Sequence, residues 1–270
     1  MEQRKYISIL GDDRSTFEGV TPKIGSFYSP SYVSYAGFAT PEGTWWMQLI
    51  HRLGGQLLVN NSFAGSHISC AGNYAACLPG RIRSLATEAA APDLVLVCTG
   101  LNDVARRVDL GAFRRDCRDM VQKLAAQYPA AQIWVGTITV GKPSQGPWYL
   151  DPATLEDRAD YNDVLRQCVA EAGPSVHLAD LTPIDGGYET VNGTHPNRAG
   201  MVTFADGWYQ AMAGTVPTKR LRSGPGTNRR RGFLAVLKPD GQTASRHETS
   251  CRLAVLGKRM QPVHLPCASG

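Results

Sequence analysis

Three short polar stretches, each at the end of an apolar run or in a loop, carry side chains able to do chemistry. The first is Gly11-Asp12-Asp13, which closes the run Tyr6 to Leu10. A strand that stops at Gly and polar residues delivers the next few side chains to the carboxyl end of a sheet, where open α/β folds place their ligands, so Asp13 is the first candidate. The others are Gly100-Leu101-Asn102-Asp103 and Asn192-Gly193-Thr194-His195. An aspartate paired with a histidine forms a dyad able to move protons in an elimination, isomerisation or cyclisation. A carboxylate can also attack carbon. At an ester carbonyl it would form a mixed anhydride, less stable than the ester it came from. At an epoxide or other alkyl carbon it gives a stable ester that activated water can open.

The elements that would position these groups alternate in type. The run Tyr6–Leu10 reads as a buried strand, Leu57–Asn60 as a second, Asp93–Cys98 as a central one covered on both faces, Ile133–Val140 as a fourth and Val176–Leu181 as a fifth. Between them, Thr44 caps a predicted helix through Trp45, Trp46, Leu49, Ile50 and Leu53. A helix within Ala71–Glu88 is expected to start after Pro79, and others are expected over 110–127, over 154–172 and from near Pro196. This alternation predicts a parallel sheet with right-handed crossovers. The segment Thr21–Gly43 is too long and irregular for a simple connection. Its Phe27, Tyr28, Tyr32, Tyr35 and Phe38 are candidates for an active-site rim, or for ordinary loop packing.

Charge divides the chain. Residues 217–270 hold eleven Lys/Arg against Asp240 and Glu248, about +9, so the total of +5 leaves about −4 for residues 1–216. The expected organisation is one domain over 1–216 and a basic, poorly ordered extension over 217–270. Nucleic-acid binding through that tail is a separate hypothesis, set against a solvated extension almost without aromatics. No run approaches a membrane span and the N-terminus leads directly into the first strand, which reads as a cytoplasmic protein. Seven cysteines without a CxxC pair read as reduced thiols rather than as a disulfide framework or a zinc site.

The blocks, in order, resemble the SGNH/GDSL hydrolase family. Gly11-Asp12-Asp13 stands where that family has Gly-Asp-Ser, and Asn60-Asn61-Ser62-Phe63-Ala64-Gly65 offers the second-block glycine. Thr99-Gly100-Leu101-Asn102-Asp103 matches the third block, and Asn192-Gly193-Thr194-His195-Pro196-Asn197 the last. The resemblance implies a three-layer α/β/α domain with a flavodoxin-like five-stranded parallel sheet, a small-molecule substrate, and neither metal nor organic cofactor. It also implies an oxyanion hole made by the N–H of Asp13, Gly65 and Asn102, with His195 as the base. Two triad positions depart: Asp13 replaces the nucleophilic Ser, and Asn192 the Asp that orients the histidine.

These departures leave three outcomes: chemistry altered to run through Asp13 and His195, a binding site in which Asp13 folds into its own hole and blocks it, or residual acyl hydrolysis. Ser15 is expected to face away in the first helical turn. His67 is a possible extra player in the rim loop, and Asp180 and Asp185 are possible substitutes for Asn192 in orienting His195. Oligomeric state stays open.

Overall fold

The computed structural model describes residues 5–213, apart from 24, 30–33 and 147–148. The basic extension and Tyr32 lie outside the described residues. Five strands, β1 (Tyr6–Gly11), β2 (Gln56–Ser62), β3 (Leu94–Cys98), β4 (Gln132–Gly136) and β5 (Val176–Ala179), form one sheet. Their order is β2-β1-β3-β4-β5 and every pair is parallel. This is the expected flavodoxin-like arrangement.

Alternation along the strands divides the core in two. Leu10, Val95, Val97, Ile133 and Val135 face one side, where they meet α2 (Pro79–Arg83), α4 (Leu110–Gln127) and α5 (Arg158–Glu171). Ile7, Ile9, Leu94, Leu96 and Trp134 face the other, covered by α1 (Trp45–Arg52) and α6 (Arg198–Ala213). A further short helix, α3 (Leu101–Ala105), comes directly after β3. Helix α4 buries Phe113, Cys117, Met120, Val121 and Leu124, a 3.6-residue stripe, and Asp109 caps it by accepting from Ala112 N at 2.9 Å. Thr44 caps α1 through Met47 N, and Trp45 stacks on Trp208 across the α1/α6 seam.

Several expected boundaries differ. Strand β4 stops at Gly136 instead of running to Val140, because Ile138 N is taken by Asn162 Oδ1 at 2.7 Å and Val140 N by Asp185 Oδ1 at 2.9 Å. The helix expected within 71–88 has five residues, and the one expected from 154 starts at Arg158, after a 3-10 turn at Pro152–Leu155. The expectation of uniformly reduced thiols is also corrected. Cys70 and Cys77 form a disulfide, brought together by a loop that folds back on itself, while Cys98, Cys117 and Cys168 are free and buried. Among the described residues no helix is long and apolar enough to cross a membrane.

Candidate active site

The turn after β1 is built on a buried ion pair. Asp12 accepts from Arg14 N at 3.1 Å, Nε at 3.1 Å and Nη2 at 2.8 Å, and Arg14 Nη1 reaches Thr139 O at 3.1 Å. Both side chains are enclosed, so each charge depends on the other. With Asp12 turned inward, the 3-10 turn Asp13–Ser15 presents Asp13 to the cleft and buries Ser15, as expected.

Asp13 Oδ2 is held by two of the three groups assigned to the hole. Gly65 N donates to it at 3.0 Å and Asn102 Nδ2 at 2.7 Å. Gly65 has φ +75°, a left-handed conformation that a side chain would strain, and that conformation turns its amide toward Asp13. The loop beyond it is fastened from beneath. Asp103 accepts from Ile68 N at 2.7 Å and Ser69 N at 3.0 Å, and Asp116 accepts from Cys70 N at 2.9 Å. Arg81, also buried, donates to Asn61 Oδ1 at 2.8 Å and Ser66 Oγ at 2.6 Å.

On the opposite side, His195 Nδ1 lies 2.8 Å from Asn192 Oδ1. That amide oxygen also accepts from the backbone N of His195 at 3.1 Å, so an oxygen, not the amide nitrogen, must face the ring. An acceptor at this position fixes the tautomer: Nδ1 carries the proton and Nε2 is turned to the cleft. His195 Nε2 stands 3.8 Å from Asp13 Oδ1, an ion-pair separation longer than a hydrogen bond. Phe27 stacks face to face on the imidazole, with centroids 3.5 Å apart and planes 6° apart.

Burial alone would raise the Asp13 carboxyl. His195 in its protonated form, Asn102 and the Gly65 amide outweigh it and hold the group down at about 2. The carboxylate is thus anionic at any ordinary pH, with one oxygen gripped and the other, Oδ1, directed at His195.

All five residues singled out, Asp13, Gly65, Asn102, Asn192 and His195, therefore meet at the carboxyl ends of β1, β2 and β3 and the loop before α6. The secondary candidates do not join them. Asp185 pairs with Arg158 and caps Val140 N, and Asp180 accepts from Thr182. His67 is buried rather than in the rim, and among the described residues neither ring nitrogen has a hydrogen-bond partner. Of the rim aromatics, Phe27 covers His195, Tyr28 and Phe38 are buried, and Tyr35 is exposed. Cys70, Cys77 and Asp116 cluster closely enough to suggest metal ligands, but both sulfurs are committed to the disulfide, so no thiolate is available there.

Sequence reasoning missed the Asp12–Arg14 pair, since adjacent charges read as a solvated turn. It also missed Thr194, whose Oγ1 lies 3.1 Å from His195 Nδ1.

The model of the GDSL-like lipase/acylhydrolase family matches residues 15–202, which include Gly65, Asn102, Asn192 and His195 and begin two residues after Asp13. Among solved structures, a protein described as a GDSL-like lipase from Bacteroides uniformis is 25% identical with a TM-score of 0.60, covering 79% of this chain and 97% of its own. One so described from Bacteroides ovatus is 23% identical with a TM-score of 0.59, covering 79% and 100%. A Clostridium thermocellum family 3 carbohydrate esterase is 18% identical with a TM-score of 0.50, covering 77% and 94%. No curated protein matches the chain.

Proposed function

Because the chain belongs to the GDSL-like lipase/acylhydrolase family, a family of hydrolases, we propose that it is a hydrolase of a small organic substrate in which Asp13 attacks a saturated carbon and His195 activates the water for the second step. The observation that carries this reading is the division of labour between the two Asp13 oxygens. Oδ2 occupies the hole formed by Gly65 N and Asn102 Nδ2, and Oδ1 points toward His195. A substrate carbonyl oxygen therefore finds the hole filled, which disfavours acyl transfer. The same arrangement favours chemistry in which the hole serves the enzyme's own carboxyl group.

In the first step Oδ1 forms a C–O bond to the substrate carbon while the epoxide C–O or carbon–halogen bond breaks. The leaving alkoxide takes a proton from solvent, and a halide leaves as the anion. The product is an ester on Asp13 with its carbonyl oxygen, Oδ2, already between Gly65 N and Asn102 Nδ2. In the second step His195 Nε2 takes a proton from water as the hydroxide adds to Asp13 Cγ. Negative charge develops on Oδ2, where two preorganised donors stabilise it. Collapse expels the alcohol, which receives the proton held by His195, and the carboxyl group left on Asp13 loses its remaining proton to solvent to restore the carboxylate. Water is the only co-reactant. Hydrogen bonds from Asn102 and the Gly65 amide favour the ionised nucleophile when His195 is neutral, and the Asn192 oxygen, by holding the proton on Nδ1, leaves Nε2 as the basic nitrogen of that neutral ring.

A second reading rests on the same filled hole: a carboxylate gripped by two donors is also a blocked site, suited to binding without turnover. A panel of terminal epoxides and primary alkyl halides separates the two. Turnover by the natural chain that is lost in Asp13→Asn and His195→Ala supports the proposal. Binding of panel members with no turnover by any variant leaves the binding reading standing. Hydrolysis of short-chain p-nitrophenyl esters by the natural chain, lost in His195→Ala, would instead restore acyl chemistry.

A further inference from the structure

Asn192 grips only one nitrogen of His195. Thr194 Oγ1, at 3.1 Å, meets the same nitrogen, so these contacts fix the direction of Nδ1 without clamping the far side of the ring. The plane of the ring needs a second constraint, and among the described contacts the face-to-face partner is Phe27. Its backbone is stitched to the nucleophile turn: Thr16 Oγ1 donates to Asp13 O at 2.8 Å and accepts from Phe27 N at 2.8 Å. The next residue is stitched to the histidine loop. Tyr28 is fully buried, its hydroxyl donates to Pro196 O at 2.8 Å, and its own carbonyl accepts from Glu18 N at 2.9 Å. One dipeptide thus spans the turn that carries Asp13 and the loop that carries His195.

We infer that Phe27 is a positioning residue that sets the plane of the His195 ring over the Asp13 carboxylate, with Tyr28 as its anchor. The aromatic face matters, not merely the apolar volume. A leucine would cover similar area without a flat surface to define the ring plane. Both reacting groups are placed by neighbours: Asp13 by the turn that the Asp12–Arg14 pair holds, His195 by the Phe27 ring. The consequence for turnover rests on the reaction proposed above and falls on its second step, in which Nε2 must aim a water at Asp13 Cγ. Misdirection of a catalytic group by about an ångström costs rate by up to about 10²-fold.

Ring-proton NMR of His195 tests the placement without any substrate. A ring held flat against a phenyl face has its Hδ2 and Hε1 signals shifted upfield. Phe27→Tyr is expected to retain that shift and Phe27→Leu to lose it. Tyr28→Phe, which removes only the bond to Pro196, is expected to move the signals part of the way. In single-turnover experiments with an epoxide, Phe27→Leu is expected to form the Asp13 ester at the natural rate and hydrolyse it up to about 10²-fold more slowly, so that the ester accumulates, with Phe27→Tyr restoring the hydrolysis rate. His195 signals identical in the natural chain, Phe27→Leu and Tyr28→Phe would overturn the inference. Absence of any Asp13 ester in the natural chain would defeat the reaction, while the ring signals alone still decide the role of Phe27.

Discussion

Two carboxylates after neighbouring strands, Asp13 beyond β1 and Asp103 beyond β3, do similar things with opposite results. Each accepts from a backbone amide of the loop after β2. Asp103 spends both oxygens on amides, Ile68 N and Ser69 N, and is fully enclosed. Burial is the largest influence on it and raises its pKa from the ordinary value, so its charge is tolerated for the sake of the loop. Asp13 spends one oxygen on Gly65 N and Asn102, leaves the other toward His195, and is held down at about 2. The difference lies in what faces the second oxygen. Amides on both sides make a structural clamp; an imidazole on one side leaves an oxygen turned toward a titratable ring.

The sharpest way to break this comparison is to remove the imidazole. His195→Ala is expected to lower turnover on the epoxide and halide panel by about 10³-fold or more, as loss of a general base does, while melting of the protein changes little. A comparable change in the other direction is expected of Asp13→Ser/Asn192→Asp. Emptying the hole and restoring a Ser-His-Asp set should create hydrolysis of short-chain p-nitrophenyl esters, about 10³-fold above the natural chain. If the double variant stays inactive while folded, the hole is not competent for acyl chemistry and the role given to Gly65 and Asn102 is wrong.

Asp103→Ala probes the structural member. It strands two enclosed amides and is expected to cost about 3 kcal/mol in denaturant unfolding. Asn102→Ala, by contrast, should spare stability and slow ester breakdown by about 10²-fold.

Acid titration of stability gives a smaller effect with opposite signs at the two sites. The folded-state value for Asp13, about 2, lies below its ordinary 3.8. Its contribution, about 2 kcal/mol, is therefore present above pH 4 and lost as pH falls toward 2. Asp13→Asn should remove that loss. The raised carboxyl of Asp103 works the other way, penalising the fold as pH rises through its ordinary range, so the natural chain should lose ground to Asp103→Asn between acid and neutral pH. Equal pH slopes for the two variants would show that the carboxylates are not distinguished by their surroundings.

Most of the candidate site's geometry was legible in the sequence because its residues sit at the ends of strands in a fixed order. The strand pattern put Asp13 and Asn102 at the carboxyl ends of the strands, and the Asn-x-x-His spacing lets Asn192 reach the ring of His195 in the folded loop. The features that stayed hidden depend on contacts between distant segments. Arg14 reads as a surface charge until Asp12 turns inward to meet it and Thr139 O arrives from 125 positions away. The Cys70–Cys77 link depends on a loop folded by Asp103 and Asp116, which no spacing rule captures. The overestimate of β4 has the same origin. Ile138 and Val140 look like strand residues, but side chains of Asn162 and Asp185 take their amides out of the ladder. Phe27 stands in the sequence as one aromatic among several, and its place on His195 depends on the Thr16 and Tyr28 hydrogen bonds.

The most direct measurement is a single turnover in H2(18)O with enzyme in excess over an epoxide that the natural chain consumes, with mass analysis of the peptide containing Asp13 and of the diol. Nucleophilic attack by Asp13 predicts one heavy oxygen in the Asp13 carboxyl group and none in the newly formed hydroxyl of the product. Heavy oxygen in the product with none in the peptide would mean that water attacks the substrate directly and that Asp13 is not the nucleophile.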